Sequence, residues 1–162
     1  MLRLYLDSST IVKRYVTEPG TPITDLVFER AERGELIVTF SLWNIGEVFG
    51  VLDERRRRRW LSEDEFREAK NMFSNELLKL MRLRVLEIIP IFASILIEAW
   101  GLILDHHIYE ADALQITTCT YTQSDALLSA DENLVNTGKK LGLKAFDIVK
   151  EEQKLTKFIK TY

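Results

Sequence analysis

Four acidic residues differ from the other carboxylates of this 162-residue chain in their surroundings. Asp7 ends the apolar run Leu2-Arg3-Leu4-Tyr5-Leu6, and Asp131 ends the run Ala126-Leu127-Leu128-Ser129-Ala130. In an open α/β sheet the carboxyl ends of parallel strands share one edge, and ligands bind there. Glu47 has Trp43 and Val51 four residues to either side, with Ile45, Val48 and Phe49 between them and Leu52 just beyond. Asp112 stands in Ile108-Tyr109-Glu110-Ala111-Asp112-Ala113-Leu114-Gln115. If four acids on four segments converge, their repulsion demands a cation or bound protons. Oxygen donors suit Mg²⁺ or Mn²⁺, which usually keep several waters. Such an ion orients and activates water and stabilises charge on a phosphoryl group.

Each acid also has a purely structural explanation. Asp7 and Asp131 precede helical segments and would serve as N-caps, although Ser8 and Ser9 could cap the first helix equally well. Asp112 falls in a helical first turn, where the dipole favours a carboxylate, and Glu110 would serve the same end. Glu47 is either on a narrow polar stripe or held near the core, and a half-buried carboxylate needs a partner.

The elements that must position these acids alternate between strand and helix. Strands are expected at 2–6, 36–40, 85–89, 126–129 and 143–146. Helices are expected at 10–16, from Thr21-Pro22 to Arg33-Gly34, from Ser41 to about Arg57, after the capping box Ser62/Glu65, at 92–104, at 109–121 and at 132–141. A turn is expected around Asp105-His106-His107. The alternation implies βαβ units, hence an α/β fold with a mostly parallel five-stranded sheet flanked by helices. Residues 1–150 read as a single domain, and 151–162 as a polar tail or loosely held helix.

Composition excludes several classes. At 46% hydrophobic and 29% charged residues, with three prolines and seven glycines, the chain is neither disordered nor a linker. Cys119 is the only cysteine, so no internal disulfide forms. No secretory leader and no membrane span are expected, which points to a cytoplasmic protein without a membrane partner. The formal net charge of −3 does not advertise a nucleic-acid binder, yet Arg55, Arg56, Arg57, Arg58 and Arg59 form an unbroken basic run.

The segment from Leu6-Asp7-Ser8-Ser9-Thr10 to Glu18-Pro19-Gly20 resembles the opening of a PIN-domain protein of the VapC-like toxin kind. Ser41 to Val51 resembles the helix bearing that family's glutamate. Glu110 to Cys119 resembles its “DAL” helix, and Leu128-Ser129-Ala130-Asp131 resembles its “TxD” strand end, with serine for the commoner threonine. The resemblance spans about residues 2–147. It implies a three-layer α/β/α fold and a Mg²⁺- or Mn²⁺-dependent ribonuclease that hydrolyses RNA phosphodiester bonds. It further implies the toxin of a toxin–antitoxin pair, silenced by a VapB-like antitoxin, and a homodimer. Asp7, Glu47, Asp112 and Asp131 would form the catalytic, metal-binding quartet, with Ser9 and Ser129 as supporting polar groups.

Other features have two readings each. The five arginines would contact RNA or an acidic antitoxin surface, or else form a solvated helix end. Trp60 would stack on a base or pack. His106 and His107 are adjacent and so diverge on a helix, which argues against a metal pair. Cys119 most simply packs. Two rival functions are an aspartyl-phosphate phosphotransferase with Asp7 as nucleophile, and a non-catalytic partner-binding module. The first suffers from Ser9 standing where the common phosphotransferase pattern has a second aspartate.

Overall fold

A computed structural model describes residues 1–162. Five parallel strands form one sheet: β1 (Leu2–Leu6), β2 (Leu36–Ser41), β3 (Leu86–Ile89), β4 (Ala126–Ser129) and β5 (Ala145–Asp147). Their order is β3-β2-β1-β4-β5. The chain therefore lays strands outward from β1 on one side, then returns to β1 and builds outward on the other. A crevice opens at such a reversal, beyond the carboxyl ends of the two strands that flank it. Here those strands are β1 and β4, paired from Leu4–Ala126 to Leu6–Leu128.

Strand β1 is buried on both faces, which explains its near-continuous apolar run. Successive side chains point to opposite sides. Leu4 and Leu6 enter the main core with Val38, Phe40, Val48 and Phe73. Tyr5 enters a smaller core on the other face with Ile116, Cys119, Leu127 and Leu134.

Eight helices complete the layers: α1 (Ser8–Val12), α2 (Thr21–Glu32), α3 (Leu42–Arg57), α4 (Glu63–Arg82), α5 (Ala93–His106), α6 (Glu110–Tyr121), α7 (Glu132–Lys140) and α8 (Glu152–Lys160). Reciprocal caps start two of them: Ser41 with Asn44 on α3, and Ser62 with Glu65 on α4. Helix α2 begins after Gly20 at φ +96, where an added Cβ would stand 3.0 Å from Lys13 Cδ. No helix is long and apolar enough to cross a membrane.

The expected strands and helices are all present, with four local corrections. Helix α1 begins at Ser8 and ends by Val12, because Asp7 itself takes the cap and accepts from Thr10 N at 3.0 Å. Helix α5 runs through His106, and the left-handed residue that ends it is His107 at φ +54, so the turn starts later than expected. Strand β5 starts at Ala145 and includes Asp147. The last segment is not loosely held: α8 places Leu155 and Ile159, both 0% exposed, in the main core. Its polar composition hides that apolar i,i+4 pair.

Candidate active site

The two strand-end aspartates sit at the β1/β4 crevice. Asp7 N donates to Leu128 O across the strand pair at 3.1 Å. The Asp7 carboxylate is buried and fully dressed: Ser9 Oγ lies 2.8 Å from Oδ1, Ser129 Oγ lies 2.9 Å from Oδ2, and Thr10 N donates to Oδ1. Ser9 Oγ in turn accepts from Ala130 N, and Ser129 Oγ accepts from Asp131 N, each at 2.8 Å. The two serines thus tie the β1 end to the β4 end. Burial pushes the Asp7 carboxyl up to about 6, against the pull of Ser9, Thr10 N and Ser129.

Asp131 is exposed and caps α7, accepting from Asn133 N at 2.8 Å and Leu134 N at 3.4 Å through Oδ1. Oδ2 carries no hydrogen bond. Asp112, half-buried in the first turn of α6, is raised above its ordinary value by desolvation first, then by the charges of Asp131 and Glu47. Those two charges come from other elements, Asp131 before α7 and Glu47 on α3.

Glu47 is half-buried and rests on a polar network under the sheet edge. Gln115 Nε2 donates to its Oε2 at 3.0 Å, and Asn44 Nδ2 reaches the same oxygen at 3.5 Å. Beneath them, the Tyr5 hydroxyl lies 2.7 Å from Gln115 Oε1. Glu47 also borders, with Trp43 and Gly46, an open hollow of about 310 Å³. A second hollow of about 370 Å³, bordered by Glu98, Leu102, Asp105 and Thr117, contains none of the four acids.

The donor set fits a hard divalent cation in its chemistry: oxygen only, and no cation among its ion-pair partners. Lys13 and Arg55 pair instead with Glu18, and Lys150 with Glu132. The acids do not form a closed cage, since no group of three or more His, Cys, Asp or Glu side chains stands in metal-holding geometry. Asp7 and Asp131 perform the capping duty that a structural role asks, so capping and cation binding draw on the same carboxylates.

The basic run divides, contrary to a uniformly solvated face. Arg55 pairs with Glu18 at 2.9 Å, and Arg56 pairs with Asp53 at 2.6 Å while stacking over Phe66. Arg57, Arg58 and Arg59 are exposed; the first two pair with Asp53 and Glu54 on their own helix, and Arg59 joins no ion pair. Trp60 is exposed beneath Arg58. Cys119 is buried, and burial pushes its thiol up to about 12. Sequence reading missed Tyr5, Asn44 and Gln115. Two of them carried a signal: Asn44 lies three residues before Glu47 and Gln115 three after Asp112, polar residues on the inward side of otherwise apolar turns.

Among curated proteins no sequence matches the chain. Solved structures share its fold. PAE2754 of Pyrobaculum aerophilum superposes with a TM-score of 0.67 at 14% identity, covering 99% of this chain and 98% of that one. VapC20 of Mycobacterium tuberculosis, a sarcin–ricin loop cleaving toxin, superposes with a TM-score of 0.59 at 13% identity, covering 86% and 95%. The PIN domain family profile matches residues 4–140, and with that span of the sequence the chain belongs to the PIN-domain family.

Proposed function

We propose that this chain is a divalent-metal-dependent ribonuclease, the toxin of a toxin–antitoxin pair. The observation that carries the reading is the pair Asp7 and Asp131 at the β1/β4 strand ends, joined through Ser129, with Asp112 responding to the charges of Asp131 and Glu47 and no lysine or arginine paired to any of the four. Family membership and the likeness in fold to a toxin that cleaves RNA support it. Asp7, Glu47, Asp112 and Asp131 would hold Mg²⁺ or Mn²⁺, which supplies water activation and neutralisation of charge on phosphorus. Ser9 and Ser129 hold Asp7 in place by hydrogen bonds to both of its oxygens. Asp112 holds its proton more firmly than a free carboxyl, through burial first and then the charges of Asp131 and Glu47, and a cation beside it would relieve that repulsion. Arg57, Arg58 and Arg59 offer the outward charge for RNA or for an acidic stretch of a VapB-like antitoxin.

A homodimer fits the surface of α5. Ile97, Trp100 and Leu104 are exposed, and Trp100 borders a hollow of about 320 Å³ with Trp43, Ile91, Leu96, Ile103 and Leu114. An RNA substrate accords with a cytoplasmic location. The phosphotransferase alternative fits less well, because a hydroxyl donor occupies each Asp7 oxygen, one of which would have to attack phosphorus. The test is cleavage of RNA with Mg²⁺, with Mn²⁺ and with excess chelator. Cleavage in the first two and none in the third is expected; cleavage undiminished by chelator, or none under any cation, defeats the proposal.

A further inference from the structure

Glu47 is the one acid of the four aimed by side-chain amides from two helices. Gln115 on α6 donates through Nε2 to Glu47 Oε2 at 3.0 Å, and Asn44 on α3 points Nδ2 at the same oxygen. A glutamine amide has one accepting end and one donating end. The accepting end of Gln115 faces two donors, the Tyr5 hydroxyl at 2.7 Å and Asn44 Nδ2 at 2.9 Å. Turning the amide over would set its NH₂ against Asn44 Nδ2 and its oxygen against the Glu47 carboxylate, so Nε2 is obliged to face Glu47. Asn44 is held the same way, its Oδ1 accepting from Ser41 N at 2.8 Å and Ser41 Oγ at 2.7 Å.

Tyr5 and Asn44 are 0% exposed and Gln115 is 3% exposed. An amide at that depth costs desolvation that a leucine would avoid. The network runs from β1 through α6 to α3, and both of its amides present a donor to Glu47 Oε2, leaving Oε1 free of hydrogen bonds. Helix α6 therefore brings two things to the crevice: the acid Asp112 and, one turn on, the amide that orients the acid of another helix.

We infer that Gln115, locked by Tyr5 and Asn44, is a positioning residue that fixes the Glu47 carboxylate for cation binding. The inference rests on the reading that the four acids hold a divalent ion. Its test measures Mn²⁺ binding directly, by calorimetry and by the electron-spin resonance of free Mn²⁺, so that it does not depend on RNA cleavage. Gln115→Met keeps the side-chain length and removes the donor. It is expected to weaken Mn²⁺ binding about 10-fold, the lower end of what loss of a partner to a metal ligand costs. In a Glu47→Gln background the same substitution is expected to change Mn²⁺ affinity less than about 2-fold, because the residue acts through Glu47.

A general structural loss would instead weaken both backgrounds equally, and that result overturns the inference. So does a folded Gln115→Met protein that binds Mn²⁺ as tightly as wild type, or a wild-type protein that binds no Mn²⁺. If Gln115→Met fails to fold, Tyr5→Phe carries the same pair of measurements, with a smaller loss of about 3-fold expected in the wild-type background only. Wild type that binds Mn²⁺ yet cleaves no RNA retires the nuclease reading and leaves the positioning role standing.

Discussion

At the scale of single residues, Asp7 carries a conflict between folding and function. Its side chain is 5% exposed, and burial holds its carboxyl at about 6, above the ordinary 3.8. A raised folded value means that the native state binds the proton more tightly than the unfolded chain does. Stability attributable to Asp7 is then fully present below about 3.8 and falls as the pH rises through about 6. The shift corresponds to at most about 3 kcal/mol. Asp7→Asn removes that penalty while its amide oxygen still accepts from Thr10 N. In chelator at pH 7.5, the variant is expected to be more stable than wild type by about 1–2 kcal/mol, after the serine hydroxyls reorient. The gain should vanish by pH 4. Denaturant titrations at the two pH values measure it, and a variant less stable than wild type at pH 7.5 contradicts the account. RNA cleavage by the same folded variant should fall by at least about 10²-fold, since a cation ligand is lost.

At the scale of elements, the helices show what sequence signals can and cannot carry. Caps and breakers were legible because they act locally: Ser41 and Ser62 mark helix starts by their hydroxyl acceptors, and Gly34 and Gly142 mark ends by their left-handed backbone. The acids at Asp7 and Asp131 were legible because an apolar run that stops at an aspartate is itself a local pattern. The Tyr5–Asn44–Gln115 network was not, since its members are 39 to 110 residues apart and meet only when β1, α3 and α6 pack. Neither was the docking of α8, which is preceded by Glu151. That carboxylate accepts from Lys139 Nζ at 2.6 Å, Lys154 Nζ at 3.0 Å and Asp147 N at 3.2 Å. Lys139 foremost, then Lys154 and the backbone donor, hold it down to about 2. A lowered folded value gives stability that is present above the ordinary 4.5 and lost as the pH falls toward about 2. Because both lysines are largely solvated, Glu151→Gln is expected to cost only about 1 kcal/mol at pH 7. The difference from wild type should close between pH 4.5 and 2. Leu155→Ala, by contrast, empties a core position and should cost about 2–4 kcal/mol at every pH in that range. Parallel urea melts of the two variants separate the charge that anchors α8 from the packing that holds it.

At the scale of the whole molecule, the strand order creates the crevice and the charge distribution governs what approaches it. A net charge of −3 opposes a polyanion at long range, and the acids Asp7 and Asp131 at the β1/β4 strand ends add to that opposition. The compensating charge is the C-terminal end of α3, eight residues and more beyond Glu47 on the same helix. The fold spends part of it internally: Arg55 and Arg56 are half-buried and paired with Glu18, Asp53 and Glu63. Arg57, Arg58 and Arg59 remain outward, and the pairs that Arg57 and Arg58 make with Asp53 and Glu54 are solvated ones that a phosphate can displace at little cost. Single-stranded RNA releases counterions in proportion to the charges that engage it, with a slope of about −0.7 per phosphate contact. Replacing Arg57, Arg58 and Arg59 together by glutamine should therefore flatten the plot of log affinity against log salt by about 2, leaving the melting temperature nearly unchanged. Arg55→Gln should do the reverse, lowering stability through an unpaired Glu18 and leaving the salt slope as it was. Binding titrations at four salt concentrations, on protein inactivated by Asp7→Asn, decide the matter: an unaltered slope in the triple variant removes the α3 end from the RNA-binding surface.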